Sequence, residues 1–255
     1  MIETTRWTLA VGLIAALAGC AEREPEPEVQ TEAPEGAPET TVAPADLANW
    51  DVRFDDPAGE PGSFKMTEAD GGWAFVTGPS GSAITWRPSD LWESGPFTVG
   101  AAFEQKDAPA DHTEAYGLFV GGQNLQAPDQ RYTYFLVRGS GDYLIKRRDG
   151  SATPTLADWT PSPAVKRIAA GGTALNALEI RVEPDTTRFF VNGTEVDALP
   201  TESVEPYGLA GLRVNHMLNV TVRGVRLGGA PLVAAGGTYP TGQAPTEIDS
   251  ADAAR

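Results

Sequence analysis

The chain holds one cysteine, Cys20, in 255 residues. A single thiol cannot staple a fold, so a disulfide framework and cysteine-built metal sites are both excluded within one chain. Histidine is nearly as scarce, with only His112 and His216. Positive charge is also short: 19 Lys and Arg stand against 35 Asp and Glu, for a formal charge of -16. No basic stripe of the kind that follows a nucleic-acid backbone is present, and no nucleic-acid partner is expected. The N-terminal apolar stretch, Thr8 to Ala18, is too short for a bilayer-spanning helix, which needs about twenty residues. A 3.6-residue apolar period is missing everywhere except for a short turn near Pro163 to Ile168, so helices are not expected to build the fold.

What is present begins with that apolar stretch, whose length suits the core of a signal peptide. It ends in "LAGC", Leu17 to Cys20, which resembles the bacterial lipobox. The resemblance implies a signal peptide at 1–19, cleavage before Cys20 and acylation of its sulfur, which would make a membrane the first partner. Each buried acyl methylene contributes about 0.8 kcal/mol, so two or three chains anchor almost irreversibly. Ala21, rather than Asp, follows the cysteine, and by the same resemblance this favours the outer membrane, on its periplasmic or surface face. Residues 21–46 are nearly all Glu, Pro, Ala and Thr, with eight acids against one Arg. Such a segment cannot bury enough apolar surface to order itself, so 20–46 is expected to be a lipidated, acidic, disordered linker. A small-residue tail, 228–255, is expected to be flexible.

Residues 47–227 carry 23 acids and 16 bases and suffice for one domain with a substantial core. Short strands are expected at Trp50 to Phe54, Ser63 to Thr67, Trp73 to Val76, Ala83 to Arg87, Phe97 to Glu104, Ala115 to Val120, Tyr132 to Arg138, Asp142 to Arg147, Ala177 to Glu183, Thr187 to Val191, Thr194 to Val196, Gly208 to Val214 and Asn219 to Leu227. Gly, Pro, Asn and Asp clusters separate them. So many strands in one domain imply an all-β sandwich or barrel.

Alternation fixes several registers. In "LEIRVE", Leu178, Ile180 and Val182 point inward while Glu179, Arg181 and Glu183 point to solvent. Asn192-Gly193 between two strand runs is a hairpin signal, because a type I′ turn needs positive φ at both central residues. In "YTYFLVRGSGDYLIKR", pairing Arg138 with Asp142 puts Phe135, Val137, Tyr143 and Ile145 on one face. Tyr132, Tyr134, Leu136, Arg138, Leu144, Lys146 and Arg148 then share the other. The first set reads as core; the second mixes rings with long cations, as a binding face does. In "GLRVNHMLNVTV", Leu212 and Val214 face inward, Arg213 and Asn215 face out, and His216 sits at the corner. Val225 falls on the wrong parity unless Gly224 forms a bulge.

"ALNALEIRVEPDTTRFFVNGTEV" followed by "GLAGLRVNHMLNVTVRGVRL", with "EAYGLFVGG" and "YTYFLVR" before them, resembles the 3-keto-disaccharide hydrolase domain family of the concanavalin A-like (LamG-like) lectin/glucanase superfamily. The resemblance spans roughly Trp50 to Leu227, with its specific matches in the last third. It implies a jelly-roll sandwich of two antiparallel sheets whose concave face meets sugars. Leu175-Asn176 stands where that family has Trp-Asn, and Arg213 where it has Gln, with one extra residue before His216. No catalytic set carries over.

Three functions follow from these residues. The leading one is carbohydrate binding on the concave face through Tyr116, Tyr132, Tyr134, Arg138, Lys146, Arg213 and Asn215, with Trp73, Trp86, Trp92 and Trp159 as further platforms for sugar rings. The second is a hydrolase or lyase on 3-keto-disaccharides or related glycosides, with His216 as acid or base and the cations stabilising an enolate. The third is a non-catalytic interaction module whose cations are all salt-bridged. A two-carboxylate glycosidase needs paired acids about 5 to 10 Å apart; Glu179 and Glu183 read as solvated strand charges and Glu114 stands alone. "DAPADHTEAYG" offers Asp107, Asp111, His112 and Glu114, which makes calcium the one metal to consider. No metal and no cofactor are expected, and the chain is expected to be a monomer.

Overall fold

The structure, a computed structural model, describes residues 49–56, 63–69 and 71–227. The expected signal peptide, Cys20, the 20–46 linker and the 228–255 tail lie outside the described residues. The described residues form fourteen strands: β1 (Asp51–Phe54), β2 (Phe64–Ala69), β3 (Gly72–Thr77), β4 (Ala83–Trp92), β5 (Phe97–Lys106), β6 (Ala115–Gln123), β7 (Arg131–Arg138), β8 (Asp142–Asp149), β9 (Thr155–Pro161), β10 (Thr173–Val182), β11 (Thr186–Val191), β12 (Thr194–Pro200), β13 (Gly208–Val214) and β14 (Asn219–Leu227). One helical turn, α1 (Thr201–Val204), links β12 to β13. All pairings are antiparallel. They build two seven-stranded sheets, the first in the order β1-β4-β13-β6-β7-β8-β9 and the second β12-β11-β10-β5-β14-β3-β2. The protein is an all-β jelly-roll sandwich.

The period-two pattern explains the core. Phe135 and Val137 of β7, Tyr143 and Ile145 of β8, and Leu212 and Val214 of β13 join Leu178, Ile180 and Val182 of β10 and Val220 and Val222 of β14 in one buried cluster. Phe135 of the first sheet meets Phe189 of the second at 5.3 Å between ring centroids. Burying each such side chain contributes about 1.5–3 kcal/mol. Both expected hairpins form: Arg138 pairs with Asp142, and Asn192 and Gly193 take φ of 51° and 80°. Gly224, at φ 58°, sits in a register shift between Arg223 and Arg226, and that bulge turns Val225 back to pack on the core.

Two expectations are corrected. β9 was not foreseen: it is an edge strand that pairs only with β8, through two register shifts that break its alternation, and Pro161 suits an edge because it has no N–H to offer a further neighbour. Glu179 points away from the core as expected but is not solvated. It is 5 % exposed and ion-paired to Arg181, whose guanidinium lies 3.9 Å from the Phe190 ring centroid.

The sheets are also joined by a polar hub. Asn176 of β10 is fully buried, and all four of its hydrogen-bonding positions are filled. Its Nδ2 donates to Tyr116 Oη and the Lys166 carbonyl, both at 3.1 Å. Its Oδ1 accepts from the Lys166 N–H at 2.8 Å and Asn192 Nδ2 at 2.9 Å. Tyr116 belongs to the first sheet and Asn176 to the second, so one amide ties both sheets, the β11–β12 hairpin and the loop before β10. Burial pushes the Tyr116 hydroxyl up to about 12, against a smaller opposing effect of the Asn176 bond.

Truncating the hub strands several buried partners at once, and each unsatisfied group costs about 1–3 kcal/mol. Asn176→Ala is therefore expected to lower unfolding free energy by about 2–4 kcal/mol, and Tyr116→Phe, which removes one partner, by about 1 kcal/mol. Urea denaturation of the two variants checks the ranking; equal, small losses would show that the hub does not hold the sheets.

Candidate functional site

Strand register lays out the outer face of the first sheet as rows of side chains. One row reads Arg53, Ile84, Arg213, Gly117, Leu136, Leu144 across β1, β4, β13, β6, β7 and β8. The next reads Asp51, Trp86, Gly211, Phe119, Tyr134, Lys146. Tyr132 and Arg148 face each other one row further. On the opposite flank Arg138 pairs with Ala115, whose carbonyl accepts the Asn215 N–H at 2.9 Å. The apolar members form a second buried cluster of Ile84, Trp86, Ala115, Phe119, Leu125, Tyr132, Tyr134, Leu136 and Leu144, with Trp159 and Leu209 packed against it. Gly211 is required here, because a Cβ would lie 2.3 Å from the Thr85 carbonyl and 2.7 Å from the Phe119 ring.

Arg213 is held from several sides. Nη1 and Nη2 donate to the two Asp55 oxygens at 3.1 and 2.6 Å. Nη1 also donates to Tyr132 Oη at 3.1 Å, and the guanidinium carbon is 5.1 Å from the Tyr134 centroid. Gly117, its neighbour in the row, has no side chain to bar that reach. The Arg213 side chain is 11 % exposed and that of Asp55 33 %. Burial works against the guanidinium charge, but Tyr132, Asp55 and Tyr134 outweigh it and hold Arg213 above its ordinary value. A forked pair of this kind is charge-assisted and geometrically specific. Tyr132 and Tyr134 are pushed up by burial, with Arg213 pulling both the other way. Their rings lie 5.7 Å apart.

The other cations differ in their pairing. Arg138 bonds Asp142 at 3.0 Å and lies 4.1 Å from the Trp159 centroid. Lys146 and Arg148 are half-buried beside Tyr134 and Tyr132 and have no ion pair with any described residue. Of the residues expected to bind a ligand, Tyr132, Tyr134, Arg138, Lys146, Arg213 and Asn215 therefore share one face. Tyr116 does not. Alternation along β6 turns it into the core, where it is fully buried with its hydroxyl on Asn176, so it cannot reach a ligand on this face. Arg148 stands on this face as its strand parity implied, though outside the expected ligand set, and Asp55 completes the face unforeseen. The period-two spacing Asp51, Arg53, Asp55 carried the signal for Asp55. Trp159 and Trp86 lie on this face too, whereas Trp73 packs on Trp50 at 5.8 Å and Trp92 stacks on Phe97 at 5.0 Å.

His216 belongs to another group. Its Nδ1 lies 3.2 Å from Glu114 Oε2, with the side chain 44 % exposed. His112 stands close enough to feel both and accepts Gln105 Nε2 at 3.0 Å. No side chain is common to this group and the one around Arg213. The acidic loop disperses likewise: Asp107 takes Asn219, Asp111 takes Arg167 and Glu114 takes His216. Among the described residues no three metal-ligating side chains converge. A depression of about 470 Å³ lies elsewhere, beside α1, lined by Gln123, Pro184, Thr201, Glu202, Glu205, Pro206 and Tyr207.

No protein family matches the chain by sequence, and no curated protein does. Among solved structures the chain is similar to the carbohydrate binding module CBM66 from Bacillus subtilis, with 14 % identity and a TM-score of 0.51 over 71 % of this chain and 96 % of that one. It is also similar to the metal-free carbohydrate recognition domain of Emp46p, with 11 % identity and a TM-score of 0.46 over 72 % and 92 % of the two chains. A Bacillus subtilis protein of unknown function with a galectin-like fold gives 12 % and 0.45 over 73 % and 91 %. The first of these likenesses shows the fold.

The His112 group yields a pH expectation. Burial, opposed by Glu114 and reinforced by His216, holds His112 below its ordinary value of 6.5. The unfolded chain then takes up the proton first, so this contribution to stability is present above 6.5 and is lost as pH falls through and below that value. His112→Gln is expected to flatten the decline in urea midpoint between about pH 7 and pH 5; a decline of unchanged slope would assign the acid loss to other groups.

Proposed function

We propose that this chain is a lipid-anchored envelope protein whose β-sandwich binds saccharide on the outer face of its first sheet. The observation that carries the reading is the Arg213 clamp. A guanidinium fixed by Asp55 and Tyr132 over the buried Tyr134 ring is a preorganised polar group of the kind that sugar hydroxyls need, and Trp159, half-buried on the same face, is the ring open to a sugar face. The interaction-module alternative requires every cation on the face to be neutralised, and Lys146 and Arg148 have no carboxylate among the described residues. The enzyme on 3-keto-glycosides requires His216 beside the clamped cation, whereas His216 faces Glu114 and Arg213 is held by Asp55 and Tyr132. The anchor rests on the apolar leader and "LAGC", which fit attachment through Cys20 at the outer membrane.

Two outcomes test the reading. On a glycan array followed by titration calorimetry, the full-length chain is expected to retain at least one saccharide class, and Arg213→Lys to weaken that binding about tenfold or more, about 1.4 kcal/mol, because lysine keeps the charge and loses the fork. Capture of no saccharide removes the proposal. For the anchor, Cys20→Ala expressed in a bacterium is expected to shift the protein from the detergent-requiring membrane fraction to the soluble one and to abolish labelling by an alkyne-bearing palmitate; continued labelling would sink the lipobox assignment.

A further inference from the structure

The charges on this face run against those of the chain. Residues 47–227 hold 23 acids and 16 bases, so a patch drawn at random is acidic. Around Tyr132 and Tyr134 the balance reverses. Tyr132 feels Arg213, Arg148 and Arg53 against Asp55 alone, and Tyr134 feels Arg213 and Arg148 against the same carboxylate. Lys146 stands in the row of Tyr134.

Asp55 is consumed by Arg213. Asp142 is consumed by Arg138 and Ser140. Asp51, in the same row as Tyr134, is four strands away, about 19 Å at the ordinary strand spacing, and so beyond the screening length at physiological salt. Arg53 donates to the Leu125 and Ala127 carbonyls, at 2.8 and 2.6 Å, and stands between Asp51 and Asp55 along one face of its strand. Two cations, Lys146 and Arg148, therefore remain without a carboxylate among the described residues. Lys146 and Arg148 stand two apart on β8, on one face, about 7 Å from each other. Like charges so placed repel, and an anion between them relieves the repulsion.

We infer that the saccharide taken by this face is anionic, a glycan bearing carboxylate or sulfate groups. Its charge sits between half-buried Lys146 and Arg148, while the outer edge of the Arg213 clamp meets its hydroxyls. The inference rests on the saccharide-binding reading and adds the ligand class to it. The choice of a sugar over a simple polyanion rests on the Arg213 clamp and on Trp159, half-buried on the same face; Tyr132 and Tyr134, 2 % and 7 % exposed, form the floor beneath the cations.

The experiment compares polygalacturonate, dextran sulfate, neutral dextran and polyglutamate as probes for the full-length chain by titration at low and high salt, alongside a Lys146→Gln, Arg148→Gln double variant. The expected result is binding of polygalacturonate or dextran sulfate, none of dextran, and only weak binding of polyglutamate. Affinity is expected to drop about tenfold or more in high salt and again in the double variant. Should the double variant melt early, Lys146→Gln alone carries the same comparison at a half-buried position. Salt-insensitive binding of dextran as tight as that of the anionic glycans overturns the inference and leaves the saccharide reading standing. Polyglutamate bound as tightly as the glycans, or anionic glycans bound unchanged by the double variant, overturns the inference as well. Capture of no polysaccharide takes both down.

Discussion

The first sheet has two buried faces, and most of what is distinctive in this molecule follows from that. Along β6, Tyr116, Leu118 and Val120 enter the core between the sheets while Ala115 and Phe119 enter the second cluster on the other side. An outer face made of Ile84, Trp86, Phe119, Tyr132, Tyr134, Leu136 and Leu144 cannot stand bare in water without becoming a large apolar patch. Long cations help to cover it. Arginine and lysine lay apolar stems along the rings and keep charged heads outward, as Arg213 does over Tyr134 and Arg138 over Trp159. The cover that makes the face soluble is thus the same set of groups that can meet a polar ring with hydroxyls. On the saccharide reading proposed above, stability and recognition would draw on one set of contacts, with the Arg213 clamp at its centre.

That arrangement holds only while the two sheets keep their register. An apolar interior alone would tolerate sliding, because hydrophobic burial is non-directional. The Asn176 hub is directional. With two donors and two acceptors all engaged, the amide fits one relative placement of β6, β10, the β11–β12 turn and the loop at Lys166, and any shift leaves a buried polar group stranded. Asn192 serves both ends of this device, since its backbone makes the turn and its Nδ2 reaches the Ala164 carbonyl at 2.8 Å. The Asn-Gly pair is thus a turn and a fastening at once.

Alternation made the strand faces legible from residues alone. A one-residue error flips every side chain of a strand, so strict patterns such as Leu178 to Val182 or Phe135 to Val137 permit one reading. The Gly224 bulge was legible for the same reason, as the only way to return Val225 to the interior. β9 was not, because its two register shifts and its edge position erase the pattern that alternation depends on. Tyr116 shows a different limit. Its parity was available, since Leu118 and Val120 flank it on the same side, but a tyrosine suggests a ligand until its hydroxyl is seen to have a buried partner. Asp55 shows a third. It lies 158 positions from Arg213, and no local pattern announces which distant carboxylate a strand cation will meet.

The chain's acidity and the basic face act over different distances, and this decides how an anionic glycan would be recognised. A formal charge of -16 repels an anion in the bulk, but the screening length of about 8 Å at physiological salt confines that repulsion to near approach. Within that distance the nearest groups dominate, and around Tyr132 and Tyr134 the uncompensated ones are Lys146 and Arg148, with Arg213 paired to Asp55 and Arg53 flanked by Asp51 and Asp55. Long-range steering therefore gives no gain in encounter rate, as it does for proteins whose net charge and site charge agree. Discrimination would then come from contact, and the groups this face leaves open are half-buried Lys146, Arg148 and Trp159 beside the clamped Arg213 guanidinium. On the anionic-glycan reading, such contacts would disfavour a neutral sugar, which leaves two adjacent cations uncompensated.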